Sequence, residues 1–228
     1  MTQTLALQNT AHAAMNGINC LVYGPSGIGK TTLCATAPNP VLFGAEGGML
    51  SLNWATLPYY EIRTVKDLQD VFNWAQGSTE AKQFESFCLD SLTEIAEVVL
   101  LNAKAQVKDP RQAYGELIEQ MMHTVRAFRD LQGKNVIMTA HQAMVKDEST
   151  QITMHTASMP GTKLGPKLPY HFDEVFRYVI TRHPETGAQE RMLQTEADFN
   201  TVAKDRSCKL DKFEQPNLSN IFAKIKGT

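Results

Sequence analysis

Tyr23-Gly24-Pro25-Ser26-Gly27-Ile28-Gly29-Lys30-Thr31-Thr32 fits the spacing G-x-x-x-x-G-K-[ST] of a phosphate-binding loop. The residues before it, Ile18 to Tyr23, are apolar except for Asn19 and read as a short buried strand. Those after it, Lys30 to Ala37, open a helix that Pro38 and Pro40 end. Strand, glycine loop and helix start are the context that gives the spacing its meaning. A triphosphate crowds several negative charges into a small volume. Gly24, Gly27 and Gly29 let the backbone turn tightly, so that successive N–H groups point inward at phosphate oxygens. The first N–H groups of the helix add to the same field. Lys30 reaches the β- and γ-phosphates as a point charge, and the Thr31 hydroxyl completes a Mg²⁺ shell that keeps several waters. The run Gly24, Pro25, Ser26, Gly27, Ile28, Gly29, Lys30, Thr31 and Thr32 is the candidate nucleotide-binding set.

The 228 residues, 43% of them hydrophobic, suffice for a substantial core, and they read as one domain over 1–228. The formal net charge of −2 excludes a surface that is basic throughout, so any nucleic-acid contact must come from local patches. Of the four cysteines, none is spaced C-x-x-C, and Cys20, Cys34 and Cys88 lie in apolar surroundings, as buried free thiols of a reducing compartment do. Met1 to Gly17 lacks the basic start and long apolar run of a signal peptide, and no stretch suits a membrane span.

Thr4 to Met15 reads as a short helix. Val41 to Phe43 is a strand running into Gly44-Ala45-Glu46-Gly47-Gly48, and Tyr59 to Ile62 is another strand. Thr64 to Ala75 is a helix with a T-x-x-D start and one apolar face. In Phe84 to Ser91 an apolar strand ends in Asp90. That acid suits a Walker B position, ordering a water of the Mg²⁺ shell opposite Thr31, while Ser91-Leu92-Thr93-Glu94 is itself a capping-box pattern that leaves Asp90 a role at the helix start. Leu92 to Val107 is a long helix, Lys108 to Gly115 breaks the helical pattern, and Glu116 to Leu131 is helical again. Asn135 to Ala140 is a strand ending at His141-Gln142. Ala143 to Tyr170 is a long segment of weak periodicity, either a functional loop or an insertion without a role. Glu174 to Arg182, a turn at Pro184-Glu185-Thr186-Gly187, and Glu190 to Gln194 form a hairpin. Asn200 to Arg206 is a further strand, and Leu218 to Ile225 a terminal helix. Alternation of strands and helices followed by hairpins predicts an α/β fold, a mostly parallel central sheet flanked by helices with an antiparallel hairpin edge near the C-terminus.

These motifs, in this order, resemble the RecA-like P-loop NTPase core. They look most like the small phage ATP-binding proteins related to RecA and RadA that accompany single-strand annealing and recombination, the Sak group. The resemblance implies that Asn135 to Ala140 lies between the P-loop strand and the Asp90 strand. It implies ATP and Mg²⁺ as cofactors, with Thr31 and Asp90 serving the metal, Glu46 polarising the attacking water, and Gln142 sensing the γ-phosphate. It implies two loops that touch single-stranded DNA, about Lys104 to Gly115 and about Met144 to Tyr170. These carry Lys104, Lys108, Arg111, Tyr114, Lys163 and Lys167, with the tyrosine available to stack on a base. Lys204 and Arg206 resemble a basic element that reaches a neighbouring subunit's nucleotide; a solvated, charged edge strand is the other reading of the same residues. The family context implies self-association into a ring or filament, a phage single-strand-binding or annealing protein as a possible partner, no membrane, and the cytoplasm of an infected bacterium. The extra N-terminal oligomerisation segment and C-terminal domain of full-length bacterial RecA have no counterpart in this sequence. The expected function is slow ATP hydrolysis coupled to single-stranded DNA in recombination, annealing or replication. One rival is a P-loop kinase for a small molecule or nucleotide, although Arg177, Arg182 and Arg191 are scattered where an arginine-rich lid is needed. Another is a nucleotide-gated DNA-binding scaffold with little turnover.

Overall fold

A computed structural model describes residues 17–146, 151–182 and 187–227. One sheet organises them. Its strands are β1 (Asn19–Gly24), β2 (Pro40–Gly44), β3 (Tyr59–Glu61), β4 (Ser86–Asp90), β5 (Asn135–Lys146), β6 (Thr153–Ala157), β7 (Glu174–Arg182), β8 (Gln189–Gln194), β9 (Lys204–Asp205) and β10 (Phe213–Glu214). The order is β10-β8-β7-β1-β5-β4-β2-β3, with β6 on β5 and β9 on β7. The pairs among β7, β1, β5, β4, β2 and β3 are parallel, and β8, β10, β9 and β6 pair antiparallel. β5 lies between β1 and β4, pairing Tyr23 with Ala140 and Leu89 with Met138. This is the RecA-like arrangement: a mostly parallel α/β sheet with an antiparallel edge.

Strand alternation splits the core in two. Leu21 and Tyr23 face helices α2 (Val65–Gly77), α3 (Leu92–Gln106) and α4 (Pro110–Arg129). Cys20 and Val22 face α1 (Lys30–Cys34) and α5 (Leu218–Lys226). The helix starts follow their sequence signals. Thr64 and Asp67 form the reciprocal capping box, and the Ser91 side chain accepts from the Glu94 N–H, so Ser91, not Asp90, is the cap of α3. α1 stops at Cys34, short of the expected Ala37. Pro38 disfavours a helical Ala37, and the Thr36 hydroxyl donates to Leu33 O (2.7 Å) while accepting the Leu218 N–H (2.9 Å).

Three expectations are corrected. Lys104 to Gly115 is not a loop: Lys104 is still in α3, and Asp109 caps α4 by accepting the Arg111 N–H (2.9 Å), with Pro110 in the first turn, where its missing N–H costs nothing. The described part of Ala143 to Tyr170 is not unstructured. β5 runs on to Lys146 and pairs with β6 from Gln142↔Ala157 to Lys146↔Thr153, and Gly165–His171 forms a 3₁₀ helix. Thr153, Thr156 and their neighbours supply the β-branched content of that hairpin. Asn200 to Arg206 is strand only at Lys204–Asp205, opposite Val175 and Glu174. The helix expected at Thr4 to Met15 and the turn residues Pro184 to Thr186 lie outside the described residues. Among the described residues no helix is long and apolar enough to cross a membrane. Cys20, Cys34 and Cys88 are buried free thiols.

Glu174 opens β7 directly opposite Asp205 and is 1% exposed. Burial and the Asp205 carboxylate push its carboxyl up from the ordinary 4.5 to about 8. The folded value lies above the unfolded one. The stability tied to the protonated acid is therefore complete below pH 4.5 and lost as pH rises through about 8. Glu174→Gln stays neutral throughout, so its melting temperature should exceed the parent's at about pH 9, with the gap closing toward pH 5. Parallel melting curves of parent and variant across that range would contradict this assignment.

Candidate functional site

The site sits where β1, β2 and β4 end, beside residues 139–141 of β5. β1 delivers Gly24, where an added Cβ would stand 2.9 Å from Tyr178 O of β7, so only glycine lets the two strands approach. Gly27 and Gly29 have φ of 73° and 110°, which side chains resist, and they turn the loop into α1. Lys30, the first residue of α1, is 9% exposed. Its ammonium donates to Gly24 O and Pro25 O, both at 3.1 Å. Burial pulls its pKa down, and the Asp90 and Glu46 carboxylates oppose that. The ammonium therefore lies folded against loop carbonyls within the field of two acids, poised to exchange those carbonyls for phosphate oxygens.

Asp90 is 3% exposed at the end of β4. The Thr31 hydroxyl donates to its Oδ2 (2.6 Å), and the Thr139 hydroxyl of β5 donates to Oδ1. A hydroxyl and a carboxylate side by side, both oxygen donors, suit a hard divalent ion such as Mg²⁺ that retains waters. Glu46 lies in the bend after β2. Its Oε1 accepts from Ser91 Oγ at 2.7 Å and is 2.8 Å from His141 Nε2. Glu94 Oε1 stands 4.0 Å from His141 Nδ1. Glu46, Glu94 and His141 offer ligand atoms within 4.8 Å of one another, but Glu46 and His141 already satisfy each other.

The structure thus gathers Lys30, Thr31, Asp90 and Glu46 at one place. Gln142 is not among them. Next to His141 on β5, it faces the opposite side of the sheet, where its Oε1 accepts from Arg177 Nε (3.0 Å), and Arg177 also donates to Thr201 Oγ1 (3.2 Å). Lys204 and Arg206, expected to serve a neighbouring subunit's nucleotide, lie apart from their own chain's P-loop, because β9 pairs with the first residues of β7 whereas Gly24 follows Tyr23, which pairs with Arg177 further along β7. Lys204 donates to Pro169 O (2.8 Å) and Phe172 O, and Arg206 pairs with Asp173 (2.8 Å). At the α3–α4 corner Lys104, Lys108, Arg111 and Tyr114 are exposed. Lys104 Nζ lies 5.7 Å from the Tyr114 ring centroid, and Gly161 packs so close that a Cβ there would meet the ring at 3.2 Å. The corner therefore touches the segment that carries the exposed Lys163 and Lys167. Sequence reasoning missed Thr139, Ser91 and His141. The signal for Thr139 and His141 was strand alternation: residues 137, 139 and 141 share the face toward the P-loop.

A P-loop opening a helix, an acid-tipped neighbouring strand and an inserted strand between them define a P-loop nucleotide-binding ATPase core. The sequence pattern of the AAA domain family matches residues 16–207, and the chain belongs to that family. No curated protein matches the sequence. Among solved structures, a KaiC-like protein from the hyperthermophilic archaeon Pyrococcus horikoshii OT3 is similar, with a TM-score of 0.42 and 14% identity over 78% of this chain and 77% of that one.

Lys30→Ala should fold, since the side chain bonds only to loop carbonyls, and should lose most of its affinity for Mg²⁺-ATP in calorimetry. Parental affinity in a folded variant would contradict the phosphate-binding role of the loop.

Proposed function

We propose that this chain hydrolyses ATP, with Glu46 as the general base, and couples turnover to single-stranded DNA in phage recombination, annealing or replication. The observation that carries the catalytic part is the convergence of Lys30, the Thr31–Asp90 pair and Glu46 at the ends of β1, β4 and β2. In this reading the loop amides and Lys30 hold the β- and γ-phosphates. Thr31 and Asp90 would hold Mg²⁺, which supplies charge neutralisation at the phosphate oxygens. Glu46 accepts a proton from water as the water oxygen bonds to the γ-phosphorus. The bond from phosphorus to the β–γ bridging oxygen breaks, and ADP leaves with the negative charge. Of the three arginines a kinase lid would draw on, Arg177 is already engaged with Gln142 and Thr201.

The DNA part is supported by the resemblance to recombination ATPases and by the packing of the α3–α4 corner on Gly161, which puts Lys104, Lys108, Arg111 and Lys163 on neighbouring exposed segments. Glu46→Gln should bind ATP like the parent and turn it over about 10²- to 10⁴-fold more slowly. In the same assay single-stranded DNA should raise parental turnover. Removing these cations should flatten the salt dependence of binding, by about 0.7 in slope for each DNA phosphate that is no longer neutralised. Parental turnover by Glu46→Gln would displace Glu46 as the base. Absence of single-strand binding with and without ATP would overturn the DNA assignment.

A further inference from the structure

His141 has no task in that scheme, yet its place is closely fixed. It stands opposite Gly24 in the β1–β5 register. Its N–H donates to Thr93 Oγ1 (2.9 Å), the Thr93 hydroxyl donates to Ser158 O (2.9 Å), and the Ser158 N–H donates back to His141 O (2.8 Å). This closed ring ties the first turn of α3 to β5 and to the residue following β6, and Thr93 within it is buried. The ring leaves the imidazole free to act while its backbone stays put.

Glu46 has the opposite character. It lies in an irregular bend between β2 and a 3₁₀ turn over 48–52, so no helix or strand of its own fixes its rotamer. Two donors meet on its Oε1: Ser91 Oγ at 2.7 Å and His141 Nε2 at 2.8 Å. An ionised carboxylate only accepts, so Nε2 carries the proton of this bond. Both donors address Oε1, which leaves Oε2 for water.

We infer that His141 is the positioning residue for ATP hydrolysis: its Nε2–H holds Glu46 by Oε1 and keeps Oε2 turned toward the attacking water. This rests on Glu46 as the base. An off-target carboxylate binds ATP no worse but rarely meets the water in line, so the cost falls on kcat.

The test is steady-state kinetics of His141→Phe, His141→Gln, Glu46→Gln and the Glu46→Gln/His141→Phe double variant, with melting temperatures alongside. His141→Phe should keep the parental KM for ATP and lose about 10- to 100-fold in kcat. His141→Gln, whose side-chain amide reaches the same oxygen, should recover most of that loss. In the Glu46→Gln background His141→Phe should cost nothing further, because there is no base left to aim. If His141→Phe does not fold, His141→Ala takes its place in both comparisons. Parental kcat in His141→Phe, failure of His141→Gln to recover, or a further loss in the double variant would overturn the inference while leaving Glu46 as the base. Parental turnover by Glu46→Gln would remove the base, and with it the inference.

Discussion

A carboxylate buried at the end of a strand must be hydrogen-bonded or it costs several kcal/mol, and Asp90 meets that constraint with hydroxyls from two different elements. Thr31 comes from the first turn of α1 and Thr139 from β5. Thr139 can reach Asp90 because β5 is inserted beside β4, with Thr139 on the face toward α1. The sheet order therefore serves the site directly. It carries the P-loop, the buried Asp90 and the Thr139 hydroxyl bonded to it on three adjacent strands, and places Glu46 just after the end of the fourth.

The same insertion sets the two faces of β5 different work. Residues 137, 139 and 141 look toward the P-loop, where Thr139 and His141 meet Asp90 and Glu46. Gln142 looks the other way, to Arg177 and beyond it Thr201. One strand thus joins the phosphate side of the sheet to the β5–β6 hairpin, and His141 and Gln142 are the residues at the junction. Tyr23 strengthens the join, its hydroxyl reaching the carbonyls of His155 on β6 (2.9 Å) and of Val202 (2.7 Å).

Much of this was legible in the sequence because the signals are local. The P-loop glycines, the apolar strand ending in Asp90, and the caps at Thr64 and Ser91 each depend on neighbours within a few residues. Two kinds of information were not local. The β5–β6 pair depends on residues 142–146 finding residues 153–157, and neither Gln-Ala-Met-Val-Lys nor Thr-Met-His-Thr-Ala carries a strong alternation. The engagement of Lys204 and Arg206 depends on carbonyls and an acid around residue 170, so two cations that look available in the sequence are already bonded within the chain. Thr139 and His141 were visible as residues but had no assigned partner, because the acids they contact are remote in sequence.

The central claim is that Lys30, Thr31, Asp90 and Glu46 form a nucleotide site in which the Lys30–carbonyl and Thr31–Asp90 hydrogen bonds are placeholders for phosphate and metal. A crystal structure of the chain with Mg²⁺ and a non-hydrolysable ATP analogue tests it most directly. The account predicts the triphosphate in the Gly24–Thr31 loop. Lys30 Nζ should leave Gly24 O and Pro25 O for the β- and γ-phosphates, and the Thr31 hydroxyl should turn from Asp90 to the metal. An analogue bound elsewhere, or bound with Lys30 still on the loop carbonyls and Thr31 still on Asp90, would contradict it.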